Sequence, residues 1–109
     1  MARKLKVYIA GRISGLSKDE YTTKFGNAAE IIRRAGFIPV NPVEFVPKEL
    51  HGSWQDCMRR CVATLAYCDL VFVLPNWKES HGATIEKTLA DDLKIPVLYD
   101  ISFFNKAAA

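Results

Sequence analysis

Apolar residues along this chain fall into two kinds of run. Four runs are short, rich in β-branched or aromatic residues, and bounded by Gly, Pro or polar residues. They are LKVYIAG (5–11), FIPVN (37–41), DLVFVLP (69–75) and IPVLYD (95–100). Each predicts a strand. DLVFVLP is continuously apolar, as in a strand covered on both faces. Pro39 cannot donate to a ladder, so the second run predicts an edge strand. Between the strands the spacing becomes helical. Tyr21, Phe25, Ala28, Ala29, Ile32 and Ala35 define a first helix, with Ser17 or Asp19 as its N-cap and Gly36 as its stop. Ser53 caps a second helix carrying Trp54, Met58, Cys61, Val62 and Leu65, and a third runs from about Gly82 to Leu93. Pro42 to Gly52 reads as an irregular segment, and PNWKES as a loop. The tail, SFFNKAAA, carries no informative pattern.

The order β-α-β-α-β-α-β predicts an α/β fold. We expect a single-domain, three-layer sandwich of the Rossmann-like or flavodoxin-like kind, residues 1–109, with a parallel sheet of about four strands. A chain of 109 residues has no room for a second core. Ligands in such sheets bind beyond the carboxyl ends of the strands, at a switch in strand order. The loops at that edge are GRISG, NPVEF and PNWKESHG, all rich in Gly, Pro, Ser or polar residues.

One residue breaks the pattern. On a helical wheel, Ala90 and Leu93 fall within about 40° of Glu86, and Ala83 and Leu89 within about 60°. Lys87, Asp91 and Asp92 lie about 100° or more away. Glu86 therefore occupies the middle of the stripe that faces the core. A buried carboxylate is costly unless paired or hydrogen-bonded. A Glu serving only the helix dipole has no need to be buried. Such violations of local patterning belong at functional sites.

The remaining candidates surround that edge. Ser80 and Gly82 open the third helix, where backbone N–H groups suit an anion, although Ser80 also reads as a plain cap. Arg12 pairs a phosphate or is a solvated loop charge. Asn41, at the carboxyl end of strand 2, is well placed for a ligand contact. His81 is a loop donor to a phosphate or an exposed loop residue, and His51 has no visible partner. Trp77 stacks on a base or closes the pocket rim. Asp69 opens strand 3 at the end away from the ligand edge and reads as a strand-start polar group, or, with a frayed strand start, as a residue that approaches the site. No GxGxxG or P-loop pattern accompanies GRISG, which disfavours dinucleotide binding and NTP hydrolysis.

Composition narrows the classes. Half the residues are hydrophobic and a quarter are charged, which excludes disorder. No apolar run approaches the roughly 18 residues of a membrane span, and the basic, then briefly apolar, N-terminus is too short for a signal peptide. A cytoplasmic protein with no membrane partner is expected. The net charge of +3 comes without aromatic interleaving or a nucleic-acid motif, so no nucleic-acid polymer is expected as partner. A small anionic ligand and a solvated basic surface fit that charge equally well. Cys57, Cys61 and Cys68 are odd in number, and the first two share a helix face. No further ligands lie at zinc-like spacing, so we expect structural thiols, no metal and no cofactor.

YIAGRISG at strand 1, CDLVFVLPNW at strand 3 and S-x-G-x-x-x-E at residues 80–86 together resemble the nucleoside 2-deoxyribosyltransferase superfamily. They also resemble its branch of deoxyribonucleoside 5′-monophosphate N-glycosidases. The likeness runs from Val7 to about Val97. It implies that Glu86 attacks C1′ of a deoxyribose, with water or a second base resolving the glycosyl-enzyme. It further implies an ionised Glu86 favoured by its helix N-terminus, a supporting Asp69, and a Tyr8 that positions the nucleophile. Ser80 and Gly82 match positions holding the 5′ end or its phosphate, and Gly11 lets the first loop approach the ligand. Ser14 stands where the hydrolase branch carries an Arg. Relatives of this kind complete their site with a neighbouring subunit, which implies a homo-oligomer, with Trp54 and the first loop as candidate contacts. Two readings stand at this point: N-glycosidic cleavage or base exchange on a nucleoside or its 5′-monophosphate, and a non-catalytic nucleotide-binding module. A remnant without ligand is a weaker third.

Overall fold

The computed structural model describes residues 3–46 and 53–108, so His51 and most of the segment before Ser53 lie outside it. Four strands, β1 (Lys6–Ala10), β2 (Ile38–Val40), β3 (Leu70–Val73) and β4 (Val97–Leu98), form one parallel sheet in the order β2-β1-β3-β4. Helix α1 (Lys18–Arg34) joins β1 to β2, α3 (Trp54–Leu65) precedes β3, and α4 (His81–Asp92) joins β3 to β4. The expected α/β three-layer architecture is what the chain adopts. Pro39 does lie in an edge strand.

Alternation along β1 and β3 builds two apolar layers. Val7, Ile9, Phe72 and Leu74 face α1, packing with Phe25, Ala28, Ala29 and Ile32. Tyr8, Ala10, Val71 and Val73 face α3 and α4, packing with Cys61, Leu65, Ala83 and Ala90. Each large side chain removed from water here contributes roughly 1.5–3 kcal/mol. Helix α1 is fixed at its start by a capping box between Ser17 and Glu20, so Ser17 rather than Asp19 is the N-cap. The chain turns after it at Gly36, whose φ of 93° suits a residue without Cβ. Cys61 and Cys68 are buried as expected, while Cys57 is half-buried.

Three expectations need correction. The tail is not uninformative: residues Ser102–Ala108 form α5, and Phe104 is fully buried edge-on against Phe37 and Phe72. Its single apolar anchor was too little periodicity to read. The segment after strand 2 opens with a short helix, α2 (Pro42–Phe45), with Pro at its first position and Asn41 as N-cap. Leu93 is not on the buried stripe. It caps α4 at the far end and is exposed. Among the described residues no helix is long and apolar enough to cross a membrane.

Candidate active site at the carboxyl edge of the sheet

The strand order reverses at β1 and β3, because the chain steps one way to β2 and then back across to β3. The loops leaving those two strands diverge to opposite faces and leave a crevice. A cavity of about 370 Å³ occupies it. The starts of α1, α2, α3 and α4 all border this cavity, through Lys18, Pro42, Trp54 and Gly82 respectively. A helix start favours negative charge nearby, and each of these four carries a cap side chain, Ser17, Asn41, Ser53 or Ser80, that accepts one of its N–H groups.

Glu86 lines the cavity one turn into α4 and is only 5% exposed. With Asn41 it is one of two buried polar residues among those described. Asn41 is satisfied locally, its Oδ1 accepting from Val43 N at 3.0 Å as the cap of α2. Glu86 is not satisfied by its own helix. Tyr8, fully buried on β1, donates its hydroxyl to Glu86 Oε2. The Cys61 thiol on α3 lies near the Tyr8 hydroxyl, so three elements converge on one carboxylate.

No cation pairs with Glu86 in any ion pair of the described residues. Burial pushes its carboxyl up to about 7, with the Tyr8 hydrogen bond pulling the other way. Burial, then the Glu86 charge, raises the Tyr8 phenol well above its ordinary range. Burial likewise lifts the Cys61 thiol to about 11. Near neutral pH, then, the site holds a carboxylate close to half-ionised, a neutral phenol and a neutral thiol.

The other predicted residues divide. Ser80 is the N-cap of α4, its Oγ accepting from Ala83 N at 3.1 Å, and it borders the cavity with Gly82 and Ser14. A Cβ on Gly82 would lie 3.0 Å from Met58 Sδ. Gly11 also borders the cavity, and a Cβ there would fall 2.5 Å from Leu74 Cδ1, so a larger residue would have to displace the Leu74 side chain. Arg12 turns away, donating from Nε to Ser14 O at 3.0 Å and pairing with Glu79 at 3.5 Å. His81 and Asn41 do not line the cavity. Trp77 packs against Tyr99 beneath Lys78 and Lys87, outside the cavity.

Asp69 is not brought to the site. It precedes β3 at the amino edge of the sheet, where Arg3 donates to both its oxygens at 2.8 and 3.0 Å and Lys6 N at 2.8 Å. The bare position of Asp69 in the strand pattern points there, whereas the family likeness points to the site.

Sequence reasoning missed one wall altogether. Trp54, Cys57, Met58 and Cys61 form a single stripe on α3 and all line the cavity. By sequence, the two cysteines of this stripe read as structural thiols and Trp54 as a candidate subunit contact, with no cavity assigned to this face. The available signal was that the stripe starts in the first turn of its helix, above the strand ends, where there is no sheet to cover it. Lys18 is the sole cation lining the cavity among the described residues. No group of three or more His, Cys, Asp or Glu among them is placed to hold a metal.

Fold and site thus define a parallel α/β protein with a phenol-held, buried acid at its topological switch point. By sequence, residues 5–99 match a family model, and the chain belongs to that family, described as a domain of unknown function (DUF4406). Among curated proteins, none matches the chain.

Proposed function

We propose that the protein cleaves or exchanges the N-glycosidic bond of a nucleoside or its 5′-monophosphate, with Glu86 as nucleophile. The observation that carries this reading is the buried Glu86 facing a 370 Å³ cavity with one carboxylate oxygen held by Tyr8. The other oxygen, Oε1, is left to attack C1′ as the bond to the base breaks. The base leaves with the bonding pair and takes a proton from water. Water, or a second base, then attacks C1′ of the glycosyl-Glu86 ester and restores the carboxylate. The resemblance of the S-x-G-x-x-x-E block supports this chemistry. The helix starts around the cavity suit a ligand with anionic oxygens.

The test is base release or exchange. Deoxyribo- and ribonucleosides and their 5′-monophosphates are incubated with the protein, with and without a second base, beside Glu86→Ala and Glu86→Gln. Release or exchange that disappears in both variants is the expected result. Absence of turnover across the panel sinks the enzymatic reading.

The second reading is a nucleotide-binding module. It is favoured by the withdrawal of Asp69 and Arg12 into ion pairs away from the cavity. It predicts nucleotide binding that survives Glu86→Gln without base release.

A further inference from the structure

We infer that Trp54 is the base platform of this site, taking the planar heterocycle of the ligand whose sugar meets Glu86. This rests on the reading above and assigns the part of the ligand that the α3 wall receives. Ser53 Oγ accepts from Asp56 N and fixes the first turn of α3, placing Trp54 at the mouth of the cavity. The indole lines the cavity and is still 40% exposed. So large an apolar ring is ordinarily covered. His81 already stacks on it, with ring centroids 5.2 Å apart and planes 12° from parallel. His81 itself does not line the cavity. The imidazole thus covers one face of the indole, and the residue still borders the cavity. A ring held in plane before a ligand arrives loses little freedom on stacking.

The surroundings select the same chemistry. The α3 wall continues from Trp54 through Cys57 and Met58, all soft and uncharged. Lys18 and the α4 start, with Ser80 and Gly82, supply the polar side. A nucleoside in the cavity accordingly sets its base on Trp54 and its sugar at Glu86. Trp77, the tryptophan that the sequence offered for stacking, lies outside the cavity.

Fluorescence separates the two tryptophans. Emission of the full chain carrying Trp77→Phe, which leaves Trp54 alone, is titrated with adenine, guanine, cytosine and thymine, their deoxynucleosides, and 2-deoxyribose. Saturable quenching by at least one base or deoxynucleoside, and none by 2-deoxyribose, is expected. In calorimetric titration, Trp54→Ala should weaken binding of that probe by about ten-fold or more, whereas Trp54→Phe should keep most of it. His81→Ala should cost only a few-fold. No quenching by any heterocycle, or an unchanged Kd in Trp54→Ala, overturns the assignment. If Trp54→Ala fails to fold, the quenching and Trp54→Phe decide. Glu86-dependent turnover with KM unmoved by Trp54→Ala would overturn the platform and leave the glycosidic reading. Quenching without turnover would do the reverse.

Discussion

Two carboxylates lie at opposite ends of the sheet, and the fold treats them in opposite ways. Asp69, before β3, receives three hydrogen bonds, two from the Arg3 guanidinium and one from Lys6 N. Those bonds hold its carboxyl below the usual range. Glu86, beyond the carboxyl end of β1, is buried with one phenol as its donor and is pushed up to about 7. The first acid is held in an ion pair at the edge of the sheet away from the cavity. The second retains an oxygen facing a cavity and a proton that leaves near neutrality. A carboxylate that only stabilises the fold is expected to resemble Asp69, and one that reacts to resemble Glu86.

The sharpest way to break this contrast is to remove each acid. Under the proposed chemistry, Glu86→Ala should lower base release by about a thousand-fold or more, as loss of a nucleophile does. Asp69→Asn should leave it within about two-fold, measured side by side as kcat/KM. A thousand-fold loss in Asp69→Asn would place the reactive acid at the wrong end.

The next effect is on stability, and its sign differs between the two acids. Glu86 releases its proton near 4.5 when unfolded and near 7 when folded. Between those values the folded state holds a proton that the unfolded chain has lost. Stability should therefore fall as pH rises from 4.5 to 7, by at most about 3 kcal/mol, and stay low above it. Urea melts from pH 4 to 8 should show that slope in the wild type and not in Glu86→Gln. For Asp69 the folded carboxyl titrates low, so its contribution is present above the unfolded value and fades as pH falls through the folded one.

Tyr8→Phe sharpens the comparison by making Glu86 still less satisfied. The Tyr8 bond lowers the Glu86 value, so its loss should shift the acid limb of the pH–rate profile above 7 and cut the rate at pH 7 by about ten-fold. An unshifted profile would mean that the phenol does not hold the reactive proton equilibrium. The smallest effect belongs to the amino end. Asp69→Asn should lower Tm slightly, and high salt should erase much of the difference, because the Arg3 partner is exposed.

Much of this arrangement was legible in the chain. The four strands follow from β-branched runs ending at Gly or Pro, and the edge placement of β2 follows from Pro39 alone. Glu86 was legible because a helix wheel has one apolar side and the residue sits in the middle of it. The residues that meet Glu86 were harder. The phenol of Tyr8 faces it because β1 alternation and the β1–β3 register bring Tyr8 opposite Val71, on the α4 side of the sheet. That is a tertiary fact that no local window contains. The cavity beside the α3 stripe was hidden for a related reason: periodicity identifies which face is apolar, not whether a sheet or a void lies against it. Trp77, read as a base contact or a rim residue, stands outside the cavity beside Tyr99, at the exit of β4, and two lysines.

The late position of Phe104 has a consequence for synthesis. The layer containing Val7, Ile9, Phe25, Ile32 and Phe72 is sealed by a residue supplied only by α5. During translation the sheet and α1 exist before that seal does. A nascent chain that has emerged as far as β4 carries an apolar face open to solvent, a surface that chaperones bind and that promotes aggregation. The opposite layer, covered by α3 and α4, takes no residue from α5.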